Sequence, residues 1–452
     1  MRVLHLYRRA AFGYLPESTL TIPQAVENLF SSQSGFTPIM QEVNEVLGQR
    51  KEMDGTSKKE LREEAKLRIK RMNLEWLSLM NRREGVFTER MALFWHGHFA
   101  CRTVVPGFVL SYINTIRKHS LGNFGDMLMA ISKEPAMLQF LNNQQNRKSS
   151  PNENFAREVM ELFTLGRGNY TETDVKEVAR AFTGWGFDTE GQFVFRERTH
   201  DNGIKNFLGR EGDFRGEDVI RILLRQKQTA RHVVTKLYQA FVSEKLNKRR
   251  IEDLADIFYQ SGYDIGGLMK KIFLSDWFYE IPSDQLLIKS PVSLMAGIAQ
   301  AIPGAFGAGE QPLLVQKVLG QVLFYPPNVA GWPGGRSWID GSSLLYRMNL
   351  PFLITGKGIG PVKGKQSGDV NDITVQQNTA ADKLDWSKLV ERYHAVSDQD
   401  LAEMMAADLF AVPPSEPVMQ LVKSKASGET DRPKRVRLLT LAFMGLPEYQ
   451  VC

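Results

Sequence analysis

Apolar residues recur every three or four positions along most of the chain, and this spacing predicts a mostly α-helical protein. The clearest case is the stretch KKELREEAKLRIKRMNLEWLSLMNRR, where Leu61, Ala65 and Ile69 stand among charged side chains. Such a pattern is typical of a long amphipathic helix that turns one face toward a core. We therefore expect a single large helical domain.

Helix boundaries are predicted where capping residues and glycines interrupt this pattern. A helix is expected from about Thr88 to Gly97, because glycine is a favourable helix stop. The stretch NENFAREVMELFTLG predicts a helix that closes at Gly166. Thr171 and Asp174 then form a capping box at the start of the next helix.

One segment has the alternating pattern of a β-strand. In EGQFVFRER, Phe193 and Phe195 stand two positions apart with the polar neighbours Gln192 and Arg196 on either side, directly after a Glu-Gly turn. The sequence therefore predicts one short β-hairpin near 187–197.

A stretch with little apolar content, GKGIGPVKGKQSGDVNDITVQQNTAAD, covers 356–382. Its glycines, lysines and asparagines predict a flexible loop or linker. We expect a main helical domain over 1–355 and, over 383–452, C-terminal helices that pack back onto it.

Basic residues are in slight excess: 57 Lys and Arg against 51 Asp and Glu give a net charge of +6. Acidic and basic residues alternate, as in EEAKLRIKRM, which is typical of a solvated helix face and not of a nucleic-acid groove. No nucleic acid is expected as a partner, whereas a mild attraction to anionic polysaccharides fits the charge. The two cysteines, Cys101 and Cys452, provide neither a disulfide framework nor a cysteine zinc site.

The N-terminal stretch MRVLHLYRRAAFGYLP reaches Arg8 and Arg9 too early to hold the apolar core of a signal peptide, so none is expected. No uncharged apolar run approaches the ~18 residues that a membrane helix needs. We therefore expect no membrane span.

Five motifs resemble those of a known family. They are HLYRRAAFG at 5–13, FWHGHF at 94–99, PNENFAREVMELFTLGRGNYTETDVKEVARAFTGW at 151–185, HDNGIKNFLG at 200–209 and PPNVAGWPGG at 326–335. Through them the chain resembles a large bacterial family, the domain of unknown function 1800, from about His5 to Gln450. Many members have histidine where Phe163 stands, so a metal that needed that histidine would lack a ligand here.

The resemblance also implies a biological setting. Family members are commonly encoded beside a sulfatase- or alkaline-phosphatase-like family that is exported through the twin-arginine pathway. This implies a sulfatase-like protein partner and a shared pathway that acts on extracellular material. A chain without its own signal peptide would then be cytoplasmic, or would reach the periplasm as a folded passenger on that partner.

The helix predicted from NENFAREVMELFTLG places Asn154, Glu158 and Glu161 on one stripe, with Arg157 at its edge. Two carboxylates one turn apart can ligate a hard cation or act as an acid/base pair. The alternative is a solvated face on which Arg157 and Glu161 form an i,i+4 ion pair.

His96 and His98 flank a glycine in FWHGHF. On a strand, or with Gly97 in a left-handed conformation, the two imidazoles could share a metal ion. On a continuing helix they diverge by about 200°. The alternative is that His96 caps helix carbonyls while Trp95 and Phe99 fill the core.

Two polar loops add further candidates. In RTHDNGIKNFLG, His200 and Asp201 can form an acid/base or ligand pair and Lys205 can hold an anion; the alternative is an Asx-type turn. In FYPPNVAGWPGGRSWIDG, a rigid loop with Trp332 and Arg336 can form one wall of a sugar-binding cleft, or it can simply lock two helical layers together.

Two functions stay open from the sequence, which has no GxGxxG after a strand, no Walker loop, no GxSxG elbow and no HExxH. The first is an enzyme that acts on an extracellular glycan or on its sulfated or phosphorylated derivative, and only the resemblance implies this substrate. In one version of this hypothesis a divalent metal ion assists the reaction. Its site would combine Glu158, Glu161, His200 and Asp201 for catalysis, Asn154, Arg157, Lys205, Trp332 and Arg336 for substrate binding, and His96 and His98 for the metal. The second is a non-catalytic assembly or export partner of the sulfatase-like protein.

Overall fold

The computed structural model describes residues 1–13, 15–16, 20–31, 38–39, 55–280, 282–306, 309–355 and 384–452. Within these ranges most residues in regular secondary structure are helical, so the prediction of a mostly α-helical protein is confirmed. The predicted loop over 356–382 lies outside the described residues.

Nine helices precede the strands: α1 (Arg2–Ala10), α2 (Ile22–Ser31), α3 (Gly55–Met80), α4 (Val86–His98), α5 (Pro106–His119), α6 (Phe124–Lys133), α7 (Pro135–Phe140), α8 (Asn154–Glu161) and α9 (Glu172–Ala181), counted over the described ranges. The strands are β1 (Trp185–Phe187), β2 (Phe193–Phe195), β3 (Lys205–Phe207) and β4 (Arg210–Gly212). The helices after them are α10 (Gly216–Leu224), α11 (Lys227–Phe241), α12 (Lys248–Gln260), α13 (Ile265–Phe273), α14 (Pro291–Ala301), α15 (Gln311–Leu319), α16 (Gly341–Leu353), α17 (Ser387–Arg392), α18 (Leu401–Leu409), α19 (Glu416–Ala426) and α20 (Arg432–Met444).

The hairpin predicted near 187–197 is confirmed: β1 and β2 pair antiparallel, with Trp185 opposite Phe195. The alternation of residues does not predict the second hairpin, formed by β3 and β4. Its turn uses Leu208 and Gly209, whose φ angles of 49° and 72° are both positive. Leucine seldom adopts a positive φ, so of the two turn residues only Gly209 is typical of a hairpin turn.

Helix α8 ends at Glu161, before the predicted stop at Gly166. The chain leaves the helix through a turn in which the Gly166 amide donates to the Met160 carbonyl and Gly166 has a φ of 79°. The capping box predicted for α9 is confirmed, because Thr171 and Asp174 each accept from the other's backbone amide. This turn lets α8 and α9 pack against each other.

Apolar side chains from nearly every element form one continuous core. Its most deeply buried tryptophans come from three different elements: Trp76 of α3, Trp95 of α4 and Trp185 of β1. Burial of such large aromatic surfaces stabilises the packing of these elements on each other.

Residues 384–452 contact the rest of the chain at several points. The Arg8 guanidinium of α1 donates to the carbonyl of Asp408 at 2.9 Å. Ile288 and Val451 form an isolated antiparallel β-bridge. These contacts bring the C-terminal residues next to α1 and to the segment that precedes α14.

No helix within the described ranges combines the length and the apolar character that crossing a membrane requires.

Candidate functional site

Helix α4 carries both histidines of the HGH motif in its last turn. Gly97 keeps a helical backbone and has no positive φ. Because the helix continues through His98, the side chains of His96 and His98 diverge by about 200°. Of the two arrangements considered from the sequence, the divergent one is observed.

His96 faces a closed aromatic core. Its Nε2 accepts a hydrogen bond from the Phe324 amide at 3.1 Å, and its Nδ1 lies 3.4 Å from the Tyr112 hydroxyl. That hydroxyl donates to the Phe99 carbonyl, so Nδ1 of His96 is the donor toward Tyr112. Burial lowers the pKa of His96 to about 3, and the ring is neutral. His96 therefore accepts from a backbone amide and does not cap helix carbonyls.

His98 faces the opposite side of α4. Its Nε2 lies 3.3 Å from the Phe163 carbonyl, while its buried Nδ1 has no hydrogen-bond partner within the described residues. Burial, followed by the charge of Lys236 and by His232, holds the pKa of His98 well below its usual value. The Phe163 ring packs 6.1 Å from the His98 ring, so a histidine at position 163 would lie next to His98.

The glycine-rich loop 326–335 closes over the end of α4. Gly331 has a φ of 79°, and a Cβ atom there would lie 2.3 Å from the carbonyl oxygen of Gly97. At Gly335, with a φ of 54°, a Cβ atom would lie 2.4 Å from Oε1 of Glu244. At Gly331 only glycine fits both the backbone conformation and the close approach, whereas at Gly335 the positive φ alone favours glycine because the Glu244 side chain can move. The loop is therefore held directly against the helix.

A cavity of about 690 Å³ opens beside the His98 face of α4. Its boundaries are formed by α4, the end of α1, α11, the start of α14 and the loop after α15. The polar and aromatic side chains around it include Arg8, Arg90, Phe94, His98, Lys236, Gln239, Glu244, Lys289, Ser290, Ser293, Gln321, Trp332, Arg336 and Trp338. Of the residues predicted from the sequence, the cavity brings together three: His98, Trp332 and Arg336.

Five cations and one glutamate line this cavity. Arg8, Arg90 and Lys289 donate to backbone carbonyls at 2.7–3.2 Å. Lys236 and Arg336 form no side-chain hydrogen bond within the part of the chain that the structure describes. None of the five forms an ion pair with a carboxylate there. Carbonyls satisfy the donors, and the negative charge at Cys452, together with that of Asp408 at Arg8, compensates only part of the positive charge of the five cations.

Burial acts strongly on the cations of this region. It lowers the pKa of Arg8 and of Arg90 to about 10 and that of Lys289 to about 7. The opposing attraction comes from Asp408 and then Cys452 at Arg8, and from Cys452 at Arg90 and Lys289. Arg9, the neighbour of Arg8 on α1, is 1% exposed, and none of its three guanidinium nitrogens has a hydrogen-bond partner within the described residues. The region thus concentrates buried positive charge.

Asn154 and Arg157 of α8 lie outside the cavity lining. Arg157 forms ion pairs with Glu172 at 2.8 Å and Glu153 at 3.3 Å, not with Glu161 as the alternative interpretation has it. Asn154 is exposed. Both residues therefore belong to the solvated side of the α8–α9 pair.

The two predicted carboxylates of α8 are close to each other. Burial, and then repulsion from Glu161, raise the pKa of Glu158. The Glu161 carboxylate accepts a short hydrogen bond from the Tyr170 hydroxyl. Glu158 is thus coupled to Glu161 and Arg157, whereas the charges that act on His98 are Lys236 and His232.

His200 and Asp201 form a third, separate neighbourhood. Nδ1 of His200 donates to the Thr183 carbonyl at 2.8 Å, and its buried Nε2 has no partner within the described residues. Asp201 pairs with Arg180 at 2.8 Å, which lowers the pKa of Asp201, and accepts from the Gly203 amide. The Asx-type turn offered as the alternative is therefore present.

Lys205 is 1% exposed, and its ammonium group lies 2.7 Å from the Asp213 carboxylate. Its charge is already paired within the protein. An additional anion at Lys205 would have to compete with that carboxylate.

The described residues contain no group of three or more His, Cys, Asp or Glu side chains that could hold a metal ion. Both nitrogens of His96 are engaged in hydrogen bonds. The divalent metal expected at His96 and His98 therefore stays a prediction without support from this geometry.

The sequence does not reveal the cations that define the cavity. Arg8, Arg90, Lys236 and Lys289 come from four distant elements, and no spacing along the chain connects them. One signal was available: Arg8 and Phe12, which both line the cavity, belong to the motif HLYRRAAFG.

Comparison with known proteins gives one result. The family model described as "Protein of unknown function (DUF1800)" matches residues 5–451. No curated protein and no solved structure matches significantly. Since the match spans nearly the whole sequence, the chain belongs to the DUF1800 family.

Proposed function

We propose that the protein binds a sulfated or phosphorylated glycan in the cationic cavity beside α4. The observation that carries this proposal is the composition of the cavity, with five cations against Glu244 and the negative charge at Cys452. Buried charge is costly unless a partner compensates it. An anionic ligand supplies that partner, and sulfate and phosphate esters suit guanidinium and ammonium donors.

The remaining lining residues support a sugar as the body of the ligand. Trp332 and Trp338 line the cavity, and indole rings pack well against the apolar faces of sugar rings. Glu244 and Gln239 can exchange hydrogen bonds with hydroxyl groups. A free inorganic anion would use none of these groups.

The sulfatase-like partner and the polysaccharide expected from the family resemblance belong to the same proposal. A sulfatase acts on sulfate esters, so the two proteins would share one class of ligand. Catalysis stays a prediction: Glu158, Glu161, His200 and Asp201 do not line the cavity, and we assign them no contact with this ligand.

Titration calorimetry tests the proposal with a sulfated disaccharide, its unsulfated parent and inorganic sulfate. We expect the sulfated disaccharide to bind most tightly and the affinity to fall as salt rises. Arg336→Gln, at the exposed rim of the cavity, should weaken binding by roughly threefold to tenfold. Arg62→Gln is the matched control, because Arg62 is equally exposed but lies on α3 outside the cavity lining.

Two outcomes would overturn the proposal: no binding of any sulfated or phosphorylated disaccharide, or an equal loss in the Arg336→Gln and Arg62→Gln proteins. Release of inorganic sulfate or phosphate in the same samples separates an enzyme from a binding protein. Binding of the disaccharide without release of sulfate or phosphate would favour the role of a non-catalytic partner of the sulfatase-like protein.

A further inference from the structure

The floor of the cavity is two turns of helix α4. Arg90, Phe94, Gly97 and His98 all line it. A rise of 1.5 Å per residue places the Cα atoms of Arg90 and His98 about 12 Å apart. We call the two limits of this floor the Arg90 end and the His98 end.

Three cations gather at the Arg90 end. Arg90 donates to the Arg9 carbonyl next to Arg8, and the Leu287 amide, two residues before Lys289, donates to the Cys452 carbonyl. The negative charge at Cys452 attracts all three cations, which agrees with their lying around it. Arg8 also acts directly on Lys289. Three cations at this end exceed the one negative charge at Cys452, and the excess can be met by one sulfate or phosphate group.

Lys236 lies at the other end. Its charge lowers the pKa of both His98 and His232. Helices α4 and α11 run antiparallel here, because Arg90 donates to the Ala240 carbonyl whereas the His232 ring lies 6.4 Å from the His98 ring. Helical side chains point toward the N-terminus of their helix, so Lys236 extends from α11 toward the His98 end.

The floor between the two ends is apolar. Leu93 and Phe94 line this middle part. An apolar floor suits the ring faces of a saccharide and offers nothing to a third anion. Along the floor the cavity thus has the order cation cluster, apolar middle part, single cation, and the fifth cation, Arg336, is on the exposed rim.

We propose that the ligand carries two anionic groups on the order of 10 Å apart, one bound at each end of the cavity. The ligand is then a segment of at least two linked sugar residues with an anionic substituent on each of them. A single sulfated sugar would fill the Arg90 end and leave Lys236 without a counter-charge. This inference rests on the proposed function and specifies the ligand of the same site.

The test compares two disaccharides that differ in one sulfate, one carrying a sulfate on each sugar and the other a single sulfate. Wild-type protein should bind the doubly sulfated compound about tenfold or more tightly. Lys236→Gln should lose about this factor for the doubly sulfated compound and leave the affinity for the singly sulfated one within about twofold. Lys227→Gln is the control, because Lys227 is on the same helix but outside the cavity lining.

The outcomes separate the two proposals. Equal affinities for the two disaccharides in wild-type protein, or an equal loss for both in Lys236→Gln, would overturn the inference and leave the cavity as a single-anion site. No binding of either disaccharide would overturn the proposed function itself. A circular dichroism melt of each variant shows whether the substituted protein is folded.

Discussion

His96 and His98 are the same residue type on one turn of α4, yet they belong to different parts of the molecule. Both ring nitrogens of His96 have partners in a closed aromatic core. His98 lines a cationic cavity, and its Nδ1 is unpartnered within the described residues. The rotation of about 200° between them produces this difference. A pair of histidines therefore has a chemical meaning only once the local backbone conformation is known.

Acid affects both histidines at once, and it is the largest effect that we expect. His96 has a pKa of about 3 in the folded protein against 6.5 as a free side chain, so the unfolded chain binds more protons between these pH values. The neutral ring of His96 makes its full contribution to the free energy of unfolding above pH 6.5. This contribution falls as the pH falls, and about 2–3 kcal/mol of it is lost at about pH 4.5. His98 adds a loss of the same sign, because its pKa is also lowered. Urea unfolding from about pH 8 to pH 4.5 measures the slope; a free energy of unfolding that stayed constant would contradict the burial of neutral imidazoles.

His96→Leu should destabilise the protein by about 2–4 kcal/mol. The substitution leaves the buried Phe324 amide without an acceptor and removes a ring that packs on Trp76 and Trp332. Urea unfolding at neutral pH gives the value.

His98→Leu is the matched substitution on the other face. Its Nδ1 already lacks a partner within the described residues, so an apolar side chain should change the free energy of unfolding by less than about 1.5 kcal/mol. Equal losses for the two leucine variants would show that the two faces do not differ as described.

The loop contact gives an effect at the lower end of the range expected for His96→Leu. Gly331→Ala should cost about 2 kcal/mol, because alanine at a φ of 79° is strained and its Cβ would meet the Gly97 carbonyl oxygen. Displacement of the loop should also weaken the binding of sulfated saccharides. A variant with unchanged stability and unchanged affinity would argue against this close approach.

Gly97→Ala should have the smallest effect and the opposite sign. A Cβ atom at Gly97 meets no atom within 4 Å, and the backbone there is helical. Alanine is the better helix former by about 0.5–1 kcal/mol. A thermal melt beside that of Gly331→Ala measures both; destabilisation would mean that Gly97 is crowded.

Predictions that depend on neighbouring residues in the sequence are confirmed by the structure. The capping box at Thr171 and the hairpin that pairs Trp185 with Phe195 depend on residues a few positions apart, and both are present. The ion pair of Arg157 could not be predicted from residues a few positions apart. Its main partner is Glu172 on the next helix, and the turn at Gly166 decides that pairing, not the spacing along α8.

The candidate site was still less predictable, because its parts are far apart in the chain. The sequence offers Trp332 and Arg336 either as a cleft wall or as a lock between helical layers, and both residues line the cavity. Arg8 and Lys289 are ordinary basic residues in the sequence, and only the tertiary fold places them beside the same void. A charge count cannot reveal that cations from separate elements converge.

At Gly331 the loop backbone lies directly on the helix backbone, so the wall and the floor of the cavity meet without a flexible side chain between them. A ligand would therefore enter a site that already has its shape. Association should be a single step whose observed rate rises linearly with ligand concentration. Differences in affinity among ligands would then lie mainly in how long each one stays bound.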